Sequence, residues 1–177
     1  MHSKVLGRDI IRGACVLAVA AAFLLAAPSG RAADRVMLKI GDPPPTFSLP
    51  DLDGRTVTVP ADLRGKAAIV HFWADWCQFC LEEMPALESL YQQYRDKGLV
   101  IVAVNVGQSA AAARAYAKRV GISYPVVLDG ESRTAKQYGV LGLPRTFFLD
   151  RKGLIKYKLL GEASAETLKK LALNTLN

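Results

Sequence analysis

The sequence predicts an α/β domain built on a central mixed sheet with helices on both faces. Three observations predict it. Ala67–Trp73 and Leu99–Val106 are continuous apolar runs rich in β-branched residues, the pattern of strands covered on both sides. The segments that follow them carry helical spacing instead. Near the C-terminus, two further apolar stretches flank Asp150-Arg151-Lys152-Gly153, which reads as a hairpin turn.

Taken in order, the elements are these. Turn signals crowd the stretch before the first buried strand: Gly41-Asp42-Pro43-Pro44-Pro45, Asp51-Leu52-Asp53-Gly54 and Pro60. Short strands at Thr46–Leu49 and Arg55–Val59 fit between them as an opening hairpin. The buried strand Ala67–Trp73 leads into a helix from Gln78 to Lys97, whose Met84, Leu87, Tyr91 and Tyr94 share one face. Pro85 removes the hydrogen bond to the Leu81 carbonyl and predicts a kink. After the second buried strand, Ser109–Val120 is helical, with Ser109 as N-cap and Gly121 as stop. Pro125–Leu128 is a short strand and Ser132–Tyr138 a short helix. Arg145–Leu149 and Leu154–Leu160 are the hairpin strands. Ser164–Leu176 closes the chain as a helix, with Leu168, Leu171 and Ala172 turned inward. No internal repeat or linker interrupts this order.

Composition narrows the functional classes. The 177 residues make one domain with a real core and not two. With 51% hydrophobic and 22% charged residues, the chain is neither disordered nor fibrous. Three cysteines are too few for a disulfide-stapled miniprotein. The net charge is +7, of which residues 1–33 hold +3; the remaining 19 basic and 15 acidic residues are well mixed. No Lys/Arg run with interleaved aromatics occurs, so nucleic acid is not an expected partner.

Residues 1–33 read as a signal peptide. Lys4, Arg8 and Arg12 precede the uninterrupted apolar run Gly13–Ala27, which Pro28, Ser29 and Gly30 end. Small residues place cleavage near Ala32 or Ala33, leaving 34–177 as the domain. The alternative is an uncleaved membrane anchor through residues 13–27, since 18 uncharged residues separate Arg12 from Arg31. Arg12 stands where a lipidation signal wants Leu, so Cys15 reads as a small hydrophobe. Either form puts the domain in an oxidising compartment, the periplasm. Beyond the signal only Cys77 and Cys80 remain.

Those two cysteines carry the chemistry. Cys77-Gln78-Phe79-Cys80 follows a buried strand and opens a helix, where unpaired N–H groups and the helix dipole favour thiolate over thiol. Cys77 is expected as the exposed attacking sulfur and Cys80 as the buried resolving one, working through a mixed disulfide. Half a zinc site is the competing assignment, but His71 is the only histidine after the signal, so a site would need a second chain. A structural disulfide is another, but so short a loop adds little chain entropy. No metal and no cofactor are therefore expected.

The segment Val70-His71-Phe72-Trp73-Ala74-Asp75-Trp76-Cys77-Gln78-Phe79-Cys80, extended by Glu83, Met84 and Pro85, resembles the active-site segment of the thioredoxin superfamily. Tyr138-Gly139-Val140-Leu141-Gly142-Leu143-Pro144-Arg145-Thr146-Phe147-Phe148-Leu149-Asp150 is similar to that superfamily's cis-proline loop. Gly41-Asp42 through Phe47-Ser48-Leu49, with Asp53-Gly54, resembles the opening hairpin of its TlpA-like exported branch, which includes cytochrome c maturation thioredoxins. The resemblance covers about residues 36–177. It implies a thioredoxin-like fold with an N-terminal β-hairpin extension and an inserted α/β element.

The resemblance also implies roles. Pro144 is expected cis, with the Leu143 main chain beside the Cys77 sulfur and open to an extended substrate segment. Glu83, one turn beyond Cys80, is expected to be partly buried, to tune the thiols and to move a proton; its neighbour Glu82 merely suits the helix dipole. Three departures stand out. His71 replaces the family's Asp or Asn, and reads either as a proton relay for Cys80 or as a core histidine held by a backbone carbonyl. Phe79 replaces the usual proline, and with Trp76 and Leu143 offers an apolar docking surface. Arg145 stands where cytochrome c maturation members often carry Glu.

The leading expectation is an exported thiol–disulfide oxidoreductase that reduces protein disulfides, with electrons from a membrane donor because the periplasm has no reducing buffer. The same fold and site acting as an oxidant or isomerase is the alternative. A peroxidase is disfavoured because no Pro-x-x-x-Thr-x-x-Cys segment precedes Cys77. A metal-binding thioredoxin-like chaperone is disfavoured because no histidine follows position 71.

Overall fold

The computed structural model describes residues 37–177, so the expected signal or anchor lies outside the described residues. Seven strands and four α-helices run in the order β1 (Phe47–Pro50), β2 (Thr56–Val59), β3 (Ala67–Trp73), α1 (Gln78–Tyr94), β4 (Leu99–Val106), α2 (Ala110–Val120), β5 (Val126–Asp129), α3 (Arg133–Gln137), β6 (Arg145–Leu149), β7 (Ile155–Leu160) and α4 (Ala165–Leu176). β1 and β2 form an antiparallel hairpin. The other five strands form one sheet in the order β5-β4-β3-β6-β7. β3 pairs parallel with β4 and β4 with β5, while β6 runs antiparallel to both β3 and β7. This is the thioredoxin-like arrangement, with β4, α2 and β5 supplying the parallel extension beyond β3.

Alternation along β3 divides the core in two. Ala67, Ile69 and Trp73 face a cluster with Met84 and Leu87 of α1, Tyr116 of α2 and Leu168 of α4. Ala68, Val70 and Phe72 face a second cluster with Phe47 and Val59 of the hairpin and Tyr138 beyond α3. One face is therefore covered by three helices. The other is covered largely by the hairpin, a 3₁₀ turn at Ala61–Leu63 and the short α3. The hairpin is fastened there by the Tyr138 hydroxyl, which donates to the Pro45 carbonyl at 2.9 Å. The Leu52 N–H extends the attachment to the Val126 carbonyl at 3.1 Å.

Most expected boundaries hold within a residue. The hairpin strand expected at Thr46–Leu49 starts one residue later and includes Pro50, whose missing N–H is harmless on an unpaired edge. The first helix ends at Tyr94 and tightens into a 3₁₀ turn at Arg95–Lys97, stopped by Gly98 at φ 92°. It continues through Pro85, where the Ser89 hydroxyl donates to the proline carbonyl at 3.1 Å. Ser109 and Ser164 cap α2 and α4 through their hydroxyls, and Gly121 stops α2 in the left-handed region. Both Val59–Pro60 and Leu143–Pro144 are cis.

Arg151, in the β6–β7 turn, joins three chain segments. Its guanidinium donates to the carbonyls of Leu176, Gly65 and Lys97 at 3.1, 3.1 and 3.2 Å. One planar fork thus ties the end of α4 to the two loops at that end of the sheet. Arg151→Ala is expected to cost about 1–2 kcal/mol in denaturant unfolding, less than three full hydrogen bonds because water reaches the site. Arg151→Lys is expected to recover only part, since one ammonium cannot span three carbonyls. Full recovery by lysine would show that charge alone matters there.

Candidate active site

The sheet delivers the two cysteines to the end of β3. Ala74, Asp75 and Trp76 turn the chain, and Cys77 becomes the N-cap of α1. The Cys77 N–H donates to the Ala74 carbonyl at 3.1 Å, and the Cys80 N–H lies 3.1 Å from the Cys77 carbonyl and 3.3 Å from Cys77 Sγ. A helix amide is thus aimed at the first sulfur, which favours its thiolate. The two sulfurs are joined as a disulfide. Cys77 is not exposed as expected: it is only 4% accessible, and Cys80 is fully buried. The Cys77 sulfur is covered because it is bonded to the inner cysteine and packed against the helical core cluster. It is still the more accessible of the two.

Apolar side chains surround this end of α1. Trp76 is 70% exposed and Phe79 48%, while Trp73 is fully buried. Leu143 is half-buried and packs against both core clusters, so it contributes less open surface than expected. Leu141, two residues earlier, is 77% exposed, and the sequence had not singled it out. Pro144 is buried, its carbonyl accepting from the Gly161 N–H at 3.0 Å. Arg145 lies over the Phe147 ring at 5.2 Å, and partial burial lowers its pKa.

Behind the cysteines lies a buried polar pair. Glu83 is almost inaccessible, more than partly buried, while Glu82 is exposed. Glu83 Oε1 accepts from the Ala163 N–H at 2.6 Å, and Oε2 has no hydrogen-bond partner among the described residues. Burial raises its pKa to about 7 against the pull of that N–H, with Glu162 pushing the same way as burial. His71 is fully buried on the same side of the sheet as Trp73. Its Nδ1 lies 2.9 Å from the Thr146 hydroxyl and 3.8 Å from Glu83 Oε2, and its Nε2 has no partner. Burial lowers its pKa to about 4, so the ring is neutral. The imidazole is held by a hydroxyl rather than by the expected backbone carbonyl, and no hydrogen bond joins it to Cys80.

Sequence reasoning missed Gln108. Its Oε1 accepts from the Asp75 N–H and from Asn105 Nδ2, both at 2.9 Å, and its Nε2 donates to Asp75 Oδ1 at 2.5 Å. The loop leading to Cys77 is thereby clamped to the end of β4. The available signal was buried Asn105, a polar residue inside an apolar strand.

The AhpC/TSA family model matches residues 40–158. The thiol-disulfide oxidoreductase ResA of Geobacillus thermodenitrificans is 36% identical over 136 residues, covering 77% of this chain and 78% of that protein. The protein of the same name from Geobacillus kaustophilus is 32% identical over 163 residues, covering 92% and 93%. Among solved structures, a thiol:disulfide interchange protein of the thioredoxin family from Chlorobium tepidum superposes with a TM-score of 0.70 at 28% identity, over 80% of this chain and all of that one.

The buried pair gives stability two opposed pH dependences. Glu83 binds its proton more tightly folded than unfolded, so its contribution is full below pH 4.5 and is lost as pH rises to about 7. His71 binds its proton less tightly folded, so its contribution is full above pH 6.5 and is lost as pH falls to about 4. Between those limits the two offset one another. Relative to wild type, Glu83→Gln is expected to make stability climb more steeply from pH 4.5 to 6.5, and His71→Asn to make it fall across the same range. Denaturation midpoints measured across that range check this; slopes of the same sign in both variants would contradict it.

Proposed function

The chain belongs to the AhpC/TSA family, and from that premise we propose that it is an exported thiol–disulfide oxidoreductase that reduces protein disulfides in the periplasm. The observation that carries this reading is the Cys77/Cys80 pair at the N-terminus of α1, with the Cys80 N–H on the Cys77 sulfur. That amide supports a thiolate on Cys77 and leaves Cys80 within reach of it.

In the reduced form, the Cys77 thiolate attacks a substrate disulfide. One S–S bond breaks, one substrate sulfur leaves and takes a proton, and a mixed disulfide forms on Cys77. Cys80 then gives up its proton and attacks the Cys77 sulfur. The second substrate sulfur is released and protonated, and the Cys77–Cys80 disulfide remains. Two electrons have passed from the dithiol to the substrate. Glu83, one helical turn beyond Cys80, is the base for the Cys80 proton, since a carboxyl titrating near neutrality both accepts and returns it. Trp76, Phe79 and the Leu143 main chain before cis-Pro144 receive the substrate, as an extended segment added beside the Leu143 backbone. A membrane electron donor returns the pair to the dithiol state. Among the described residues, no helix is long and apolar enough to cross a membrane; the anchor in this reading is the apolar run at residues 13–27.

Two measurements on the full chain test this. Cys80→Ser is expected to accumulate a mixed disulfide with a disulfide-bonded protein substrate, and Cys77→Ser to accumulate none. Trapping on Cys80 instead would reverse the assignment. The equilibrium reduction potential of the pair is expected near or below about −250 mV, in the range of reductants. A value above about −180 mV would make the same site an oxidant or isomerase.

A further inference from the structure

His71 and Glu83 are both buried, both carry an atom without a hydrogen-bond partner, and approach each other at 3.8 Å. The Thr146 hydroxyl is 2.9 Å from the same His71 nitrogen that faces Glu83. These contacts select the tautomer. A proton on Nε2 would leave a buried N–H with no acceptor, which is rare and costly, whereas an unpaired lone pair there costs less. This favours the proton on Nδ1, where the N–H can donate to the Thr146 oxygen at 2.9 Å and Glu83 Oε2, at 3.8 Å, is the next acceptor.

We propose that His71 is a positioning residue for Glu83: its Nδ1–H, shared between the Thr146 hydroxyl and the Glu83 carboxyl, stabilises the ionised carboxylate behind Cys80. The inference rests on Glu83 being the base for Cys80, and deepens that assignment. His71 does not take the Cys80 proton itself. It supplies a second donor to a carboxylate whose other donor among the described residues is the Ala163 N–H. When Cys80 loses its proton, Glu83 gains it, and the His71 N–H returns wholly to Thr146. No charge remains on the histidine at either stage.

The other groups around Glu83 oppose ionisation. Glu162 adds like charge from the loop before α4. The buried Tyr124 hydroxyl, which donates to the Met84 carbonyl at 3.4 Å, is already engaged. The Cys77–Cys80 disulfide is neutral. His71 Nδ1, at 3.8 Å, is the side-chain nitrogen that approaches the unpartnered Glu83 Oε2.

The decisive experiment follows the Glu83 side-chain carbon by NMR through a pH titration of the oxidised full chain, without substrate. His71→Leu is expected to raise the Glu83 midpoint by about 0.5–1 pH unit, less than a full hydrogen bond to a charged group because the N–H is shared with Thr146. His71→Asn keeps an N–H donor and is expected to hold the midpoint within about 0.3 pH unit of wild type. Thr146→Val frees the Nδ1–H for Glu83 alone and is expected to lower it. Opposite signs at two neighbouring residues are not what simple loosening of the core produces. Equal shifts for leucine and asparagine, or a rise with Thr146→Val, would overturn the proposal. Should His71→Leu fail to fold, the Thr146→Val shift and the ring ¹⁵N spectrum of the wild type decide: a proton found on Nε2 overturns it. Because no electron transfer is measured, failure here is distinct from a reduction potential that contradicts the proposed direction.

Discussion

A sulfur at a helix N-cap depends on everything that fixes the helix start. In this chain the fixing is done from both sides. Upstream, β3 is buried along its whole length and paired on both edges, so the point where the chain leaves the sheet has little freedom. Downstream, Met84, Leu87 and Leu90 press α1 onto the same sheet face. Between these rigid parts lie only Ala74, Asp75 and Trp76, and Gln108 ties Asp75 to the end of β4. The Cys80 amide is aimed at Cys77 because neither the strand nor the helix can shift. Redox chemistry is in this sense a property of the sheet.

The polar pair behind the cysteines has the opposite character. A carboxyl and an imidazole without full hydrogen bonding cost stability in a core that apolar residues would fill better. Burial penalises the charged form of each partner, keeping His71 neutral near pH 7 and raising the proton affinity of Glu83. The same burial brings the Glu83 pKa to about 7. A fully satisfied carboxylate would be more stable and would not exchange protons near neutrality. The unpartnered Oε2 is thus a defect in packing terms, and in the proposed cycle it is what leaves the carboxyl open to proton exchange.

Much of this was legible in the sequence, and for identifiable reasons. β3, β4 and β6 were read with their observed ends because runs of buried β-branched and aromatic residues have few other homes. Ser109, Gly121 and Ser164 were readable because caps act locally. The Cys motif was readable from its place between strand and helix. The burial of Cys77, the half-burial of Leu143, the exposure of Leu141 and the clamp by Gln108 were not readable. Each is settled by residues distant in sequence, such as the 33 positions separating Gln108 from Asp75. His71 lies between these cases. Strand alternation gives the face it occupies, but its partner belongs to another strand.

That partner is fixed by register. In the antiparallel pairing of β3 with β6, His71 stands directly opposite Thr146, 75 residues away. A slip of one residue would set Arg145 or Phe147 there and turn Thr146 to the other face. The same register starts β6 immediately after cis-Pro144, so the Leu143–Pro144 loop and the buried His71–Glu83 pair are set by one strand pairing. Substitutions elsewhere in β6 that preserve its pairing leave both in place, whereas any that shift it disturb both at once. Residues 144 and 146 are thus coupled through backbone geometry rather than through contact, and the buried carboxyl–imidazole pair shares its structural support with the cis-proline loop.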